Sequence, residues 1–297
     1  MVSLYTQRGS NVRKTWLLMT AFLLIVILVG WASSYYLNSP AVLYAAVGLA
    51  FFMNFFAYWK SDSIALASTH AKEVPYEANP ELHRIVENLS ITAGLPKPRV
   101  YVIEDAAPNA FATGRDPKHA AIAVTTGLLA QLDRKELEGV LAHELSHIGN
   151  RDILVMSVAV VLVGVISIIA DVALRMSFYG GGGDRDKAGN ILLIVGAVVA
   201  IVVAPIAAQL MHLAISRRRE YLADTSGALL TRYPEGLASA LEKIAAYKAP
   251  MHHASNATAH LFISNPFGAA QAGKFVQKLF ATHPPIEDRI KALHGMR

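Results

Sequence analysis

The sequence predicts an α+β fold joined to about four transmembrane α-helices in two hairpins, and three observations carry that expectation. Of the 297 residues, 54% are hydrophobic and only 16% charged, with a mean hydropathy of +0.37, so the chain departs from soluble averages in both respects. Four apolar runs are each long enough to cross a bilayer. The polar stretches between and after them change from helical to strand periodicity and back, as an α+β domain requires.

The elements follow in order. The block from Thr15 to Trp59 is uncharged, bracketed by Lys14 and Lys60, and broken by "NSP" at Asn38 to Pro40. It reads as a hairpin with spans at about 15–37 and 40–59. Its first run exceeds the roughly 7–15 apolar residues of a signal peptide, and no small-x-small cleavage site precedes a polar start, so an uncleaved anchor is expected. A third run extends from about Ile153 to Leu174 and a fourth from about Ile191 to Ile215. The glycine-rich "RMSFYGGGGDRDKAGN" between them cannot continue a helix.

Basic residues set the expected orientation. Arg8, Arg13 and Lys14 precede the first span, Lys60 follows the second, and "SRRRE" follows the fourth. Both termini, residues 60–152 and residues 216–297 should then share the cytoplasmic side. The formal charge of +5 and pI near 9.3 suit basic flanks against anionic lipid, and no separate basic stripe points to nucleic acid. Cysteine is absent, which removes disulfide and thiolate chemistry from consideration.

The organisation expected is residues 1–59 for a tail and first hairpin, 60–152 for the first part of a polar domain, 153–215 for the second hairpin and 216–297 for the second part. The polar pieces, about 90 and 80 residues long, are each small for a domain and are expected to fold together. "NPELHRIVENLSITAGL" reads as a helix capped by Asn79 and ended by Gly94, with Leu82, Ile85, Val86 and Leu89 on one face. "KPRVYVIED", "NAFATG" and "AAIAVTTGLL" read as strands, with "GRDPKHA" as a turn. "DRKELEGVLAHELSHIGN" then reads as an amphipathic helix capped by Asp133. The second piece predicts helices at about 217–231 and 234–247, a polar loop, and a short helix after "HPPIED".

The chemistry concentrates in "HELSH". His143 and His147 lie four apart, so on a helix both imidazoles project from one face and can take two corners of a tetrahedral zinc site. Glu144 lies beside that face, where a carboxylate can take a proton from water at the metal. Asn150 and Ile153 occupy the positions where a longer motif would carry Gly and a third His, so the third ligand must come from elsewhere. Glu220 in "RRREYLADTSG" is the best candidate, and Asp224, at i+4, can accept the outer ring hydrogen of a ligand histidine. His252, His253 and His260 sit in the polar loop, where exposed rings are commoner than a second metal site. Asn88 and Asn256 each begin an N-x-S/T triplet, a common accident in a cytoplasm-facing domain.

The whole chain resembles the HtpX-type membrane zinc metalloproteases, relatives of the CAAX prenyl proteases, through the first hairpin, "HELSHIGNRD", "RRREYLAD", "TAHLFISNPF" and "HPPIEDRI". The resemblance implies a zincin-like metalloprotease domain with one Zn2+ per chain on His143, His147 and Glu220, and Glu144 as general base. It also implies that His283 and Arg289 stabilise the tetrahedral intermediate. "NAFATG" resembles the edge strand that pairs with extended substrate in such proteases, with Asn109, Ala110 and Phe111 in contact with it. The function implied is endoproteolysis of misfolded or damaged membrane proteins at the cytoplasmic face of a bacterial inner membrane. A prenyl-peptide protease shares the motifs but needs more spans to enclose a chamber. A metal-regulated transporter or channel needs polar groups along its path, and Asp171 and His212 are the only ionisable residues within the third and fourth spans.

Overall fold

The computed structural model describes residues 4–162, 164–165, 217–252, 255, 257–267 and 284–296. Two long helices open the chain, α1 over Leu4–Leu37 and α2 over Pro40–Ser68. Asn38 takes a left-handed φ of 50° and Pro40 fills the first turn of α2, so "NSP" stops one helix and starts the next. The helices approach so closely that a Cβ on Gly30 would lie 2.3 Å from the Cβ of Ala46, a separation that only glycine permits.

Among the described residues, two helices are long and apolar enough to span a membrane, Gly9–Tyr35 and Pro40–Ser68. Leu17, Leu24, Leu28, Phe51, Phe52 and Phe55 are exposed on them, a surface suited to lipid rather than water. Exposed Trp31, Tyr35 and Tyr44 flank the hairpin turn, while Trp16 and Trp59 lie toward the other end, where amphipathic rings favour the headgroup level. Both helices outrun their apolar parts. The expected tail is helical from Leu4, and α2 continues past Lys60 to Ser68, because a charge marks the exit from lipid without breaking a helix. The last turns of α2 join the polar domain: Ala65 and Leu66 pack with Tyr101, Ile103 and Phe111, and Asp62 pairs with Arg99 at 2.7 Å.

Among the described residues, four strands form one sheet: β1 (Lys72–Glu73), β2 (Arg99–Ile103), β3 (Ala110–Gly114) and β4 (Ala120–Thr125), in the order β1-β2-β4-β3. β2 and β4 are parallel and the outer pairings antiparallel, which leaves β3 at an edge of the sheet. The two-residue β1 is too short to have left a pattern in the sequence. The strand expected over "AAIAVTTGLL" stops at Thr125, whose hydroxyl accepts the Leu128 N–H at 3.1 Å and so caps α4 (Thr126–Gln131).

Helix α3 (Pro80–Ala93) is capped by Asn79 and ended by Gly94 at φ 64°. Helix α5 (Arg134–Gly149) starts from a capping box of Asp133 and Glu136. The chain then bends by 84° into α6 (Asp152–Leu162), with Arg151 in the left-handed region at φ 58°. Leu154, Val155, Val158 and Ala159 of α6 pack on Leu18, Phe22 and Ala57 of the first hairpin. The rest of the third run, the glycine-rich turn with Asp171, and the fourth run with His212 lie outside the described residues.

Helices α7 (Arg217–Thr231), α8 (Pro234–Ala246) and α9 (Ile286–His294) complete the description. Leu82, Ile122, Leu145, Leu237, Leu241 and Leu293 share one buried cluster, so residues from before 152 and from after 217 build a common core around α5.

Candidate metal centre and active site

The cap at Asp133 and the packing of Leu137, Val140, Leu141 and Leu145 orient α5 so that its other face carries His143 and His147. Helix α7 crosses that face at very short range. A Cβ on Gly227 would lie 2.9 Å from the backbone nitrogen of His143, so glycine at this position allows the two helices to meet. One turn and two turns before Gly227, Asp224 and Glu220 are thereby carried to the histidines.

The three residues singled out as metal ligands converge. His143 Nε2 and His147 Nε2 are 3.1 Å apart; Glu220 lies 3.8 Å from the first and 3.6 Å from the second. One ligand atom from each lies within 4.8 Å of the others, and all three residues are buried. Nitrogens held at about 2.0–2.1 Å around a tetrahedral ion stand about 3.3 Å apart, so the spacing and the two-imidazole, one-carboxylate chemistry fit zinc.

Each histidine carries a carboxylate on its outer nitrogen. Asp224 Oδ1 lies 2.9 Å from His143 Nδ1, and Asp152 Oδ2 lies 3.0 Å from His147 Nδ1. With Nδ1–H donated outward, Nε2 of the neutral ring is the inward-facing nitrogen that a metal would take. Asp224 is itself gripped at both oxygens by Arg289, at 2.6 and 2.9 Å. Burial opposes its charge, but Arg289 and His143 more than offset that and hold its carboxyl below the usual range.

Glu144 is buried beside the triad, where the backbone N–H of Ala112 in edge strand β3 favours its charged form. Burial, helped by the charge of Glu220, pushes its carboxyl up to about 7, against the opposing pull of His147 and Arg289. His143 is driven down to about 4, chiefly by burial, against its bond to Asp224. His147 goes the other way: burial disfavours its charge, yet Asp152, Glu220 and Glu144 together raise it to about 9. The metal-free site therefore holds a proton between acids, and a divalent cation would replace it.

Arg289 is fully buried. Besides Asp224, its Nη1 donates to the peptide carbonyl of Ile263 at 3.1 Å and lies 3.8 Å from Glu220. His283 lies outside the described residues. Asn109, Ala110 and Phe111 are buried at the β3 edge, where the chain's own segment engages them. Asn109 Nδ2 donates to the Ser264 carbonyl at 3.0 Å and its Oδ1 accepts the Ser264 N–H at 3.2 Å. The Ala110 carbonyl accepts the Ile263 N–H at 2.9 Å, and Phe111 packs edge-on against Phe262 at 5.2 Å. Of the loop histidines, His260 places Nε2 3.0 Å from the Met156 carbonyl, His252 is exposed, and His253 lies outside the described residues.

Three further residues, Asp152, Arg219 and Asn11, reach the site through contacts that local sequence patterns do not reveal. Asp152 follows His147 by five positions, where an unbroken helix would turn it about 140° away from the ligand face. Arg219 sits inside an arginine run that reads as a membrane flank, and Asn11 inside a presumed tail. The available signal was an acid placed directly before an apolar run, where a charge is costly unless paired.

Comparison with known proteins agrees with this geometry. Residues 77–297 match the family described as Peptidase family M48. The chain is 50% identical over 301 residues to the "Protease HtpX homolog" of Caldanaerobacter subterraneus subsp. tengcongensis, covering 99% of this chain and 98% of that one. A protein of the same name from Thermoanaerobacter pseudethanolicus is 52% identical over 306 residues, with 99% and 98% covered. One from Pyrococcus furiosus is 51% identical over 261 residues, covering 87% and 88%. The crystal structure of S. mikatae Ste24p shares the fold at 18% identity and a TM-score of 0.50, over 99% of this chain and 67% of that one. The chain therefore belongs to peptidase family M48, and within it to the HtpX-type membrane metalloproteases.

Proposed function

We propose that this metalloprotease is a zinc-dependent endopeptidase of the gluzincin type. In this reading it cleaves misfolded or damaged membrane proteins at the cytoplasmic face of a bacterial inner membrane, as protein quality control. The observation that carries the reading is the continuity of the site with the membrane part. The helix bearing both histidines bends directly into α6, which packs on the first hairpin, so the buried triad is one bend away from that apolar hairpin. Residues 60–152 and 216–297 act as one catalytic domain, on the side marked by Arg8, Arg13, Lys14 and Lys60.

Zinc on His143, His147 and Glu220 would supply a Lewis acid that polarises the scissile carbonyl and acidifies water. Glu144 accepts the proton of the attacking water and passes it to the leaving amine. Arg289, fixed by Asp224, and His283 donate to the oxygen that gains negative charge. The bond from Arg289 to the Ile263 carbonyl supports this, since it shows a peptide oxygen within the arginine's reach. An extended substrate adds to the edge of β3 along Asn109, Ala110 and Phe111. Ile263 and Ser264 hold those groups here, so substrate enters as that segment gives way. An apolar cleft of about 380 Å³ between α2 and α6, lined by Phe52, Met53, Phe56, Val160 and Val161, lies at the start of the same segment, at Ser255 and Thr258. It suits an apolar substrate stretch arriving from the bilayer.

The test is to purify the parent and Glu144→Gln in detergent, supply zinc, and follow cleavage of an unfolded protein and of a prenylated peptide. The parent should cut the unfolded protein, with the variant at least about a hundredfold slower. Cleavage of the prenylated peptide alone would favour the prenyl-protease relatives, and a zinc-loaded parent that cuts neither would refute proteolysis.

A further inference from the structure

The outer partner of His147 belongs to a buried polar cluster that reaches the first membrane helix. Asn11 of α1, fully buried, donates Nδ2 to Asp152 Oδ1 at 2.6 Å and to the Asn150 carbonyl at 3.0 Å. Arg219 of α7 donates Nη1 to Asn11 Oδ1 at 3.2 Å and lies 3.6 Å from Asp152 Oδ1. Asp152, Asn11 and Arg219 are each no more than 4% exposed. A carboxylate so buried must be hydrogen-bonded on both oxygens and balanced in charge. Asp152 meets both conditions, with Oδ2 on His147 and Oδ1 shared between Asn11 and Arg219.

The backbone places it there at a cost. Arg151 adopts a left-handed φ of 58°, unfavourable for a residue with a Cβ, and this turn redirects the chain by 84°. Without the turn, Asp152 would point away from His147. The three members of the cluster come from α1, from the start of α6, and from the residue next to the ligand Glu220.

We propose that Asp152 is the positioning residue of ligand His147, held by Asn11 of the first membrane helix and by Arg219, so that the amino-terminal turns of α1 support the metal site as well as anchoring the chain. The proposal rests on the metal-site reading above. On this account Asn11 acts on the metal through Asp152, and loss of either lowers metal affinity before it alters the chemistry.

The full chain in detergent, in a Glu144→Gln background that prevents self-digestion, allows the test. The dissociation constant for zinc is read by chelator competition, and the metal-free thermal midpoint in parallel. Asp152→Asn should weaken zinc about 10- to 100-fold, the range for the outer partner of a ligand histidine. Asn11→Leu should weaken it by a smaller factor, about three- to tenfold, because it acts one bond further out. The double variant should be no weaker than Asp152→Asn alone. If Asp152→Asn does not fold, Asn11→Leu, which removes no charge, carries the test by itself. Zinc affinity unchanged in the variants while the metal-free midpoint falls would mean the cluster only fastens α1 to the domain, and would overturn the proposal. A parent that binds zinc no better than His147→Ala would overturn the metal site and this inference with it. Tight binding by parent and Asp152→Asn alike would overturn this inference only.

Discussion

Glu144 illustrates how the site sets function against stability. Its carboxyl rises from the ordinary range to about 7 because it is buried beside Glu220, so the fold favours the neutral form. The stability this gives is fully present below about 4.5 and is lost as pH rises through 7, where the folded chain must hold a buried charge. Glu144→Gln should therefore raise the thermal stability of the metal-free chain at pH 8, by on the order of 1–3 kcal/mol, and far less at pH 5. Thermal midpoints of parent and variant at the two pH values check this; an equal gap at both would contradict it. His147 carries the opposite lesson. Asp152 and the surrounding acids hold it protonated up to about 9 without metal, so zinc must expel that proton. Zinc affinity should rise about tenfold per pH unit between 7 and 8, and a flat profile from chelator competition would rule this out.

At the scale of elements, the site depends on how closely α7 lies against α5. Gly227→Ala would place a carbon 2.9 Å from the His143 nitrogen, forcing the helices apart and carrying Glu220 away from the two imidazoles. The expected result is a loss of about 1–3 kcal/mol of stability with weakened zinc binding; an unchanged zinc constant would show that the contact does not set the ligand's position. Much of this level was legible beforehand, and for physical reasons. Asn79, Gly94, Asp133 and Glu136 act locally on backbone groups a few residues away, so caps and helix ends could be read from short windows. The two histidines share a face through helical spacing alone. Asp152 could not be read that way, because its approach to His147 depends on the left-handed Arg151 and an 84° bend that no propensity predicts. The engagement of Asn109 by Ser264 likewise joins residues 155 positions apart, beyond any local pattern.

Taken whole, the molecule mounts a buried triad beside an apolar hairpin: the helix bearing both histidines bends into α6, which packs on α1 and α2. Hydropathy reads the first hairpin well, since lipid imposes long apolar runs, but it gives the limits of the apolar spans, at Lys14 and Lys60, and not the ends of the helices. The helices in fact continue into the polar domain, and Asn11 and Ala65 become part of its interior. His147 precedes α6 by five residues, which puts the metal within about 10 Å of the bilayer surface if lipid begins near the start of that helix. The site should therefore act on substrate close to the membrane. The most direct test is to reconstitute the parent and Glu144→Gln in liposomes with an unfolded membrane protein and to map the cut positions by mass spectrometry. The account predicts zinc-dependent cuts clustered beside the substrate's spans, on the side of the catalytic domain, and absent with the variant. Cuts spread through regions remote from the membrane, or the same cuts from Glu144→Gln, would contradict it.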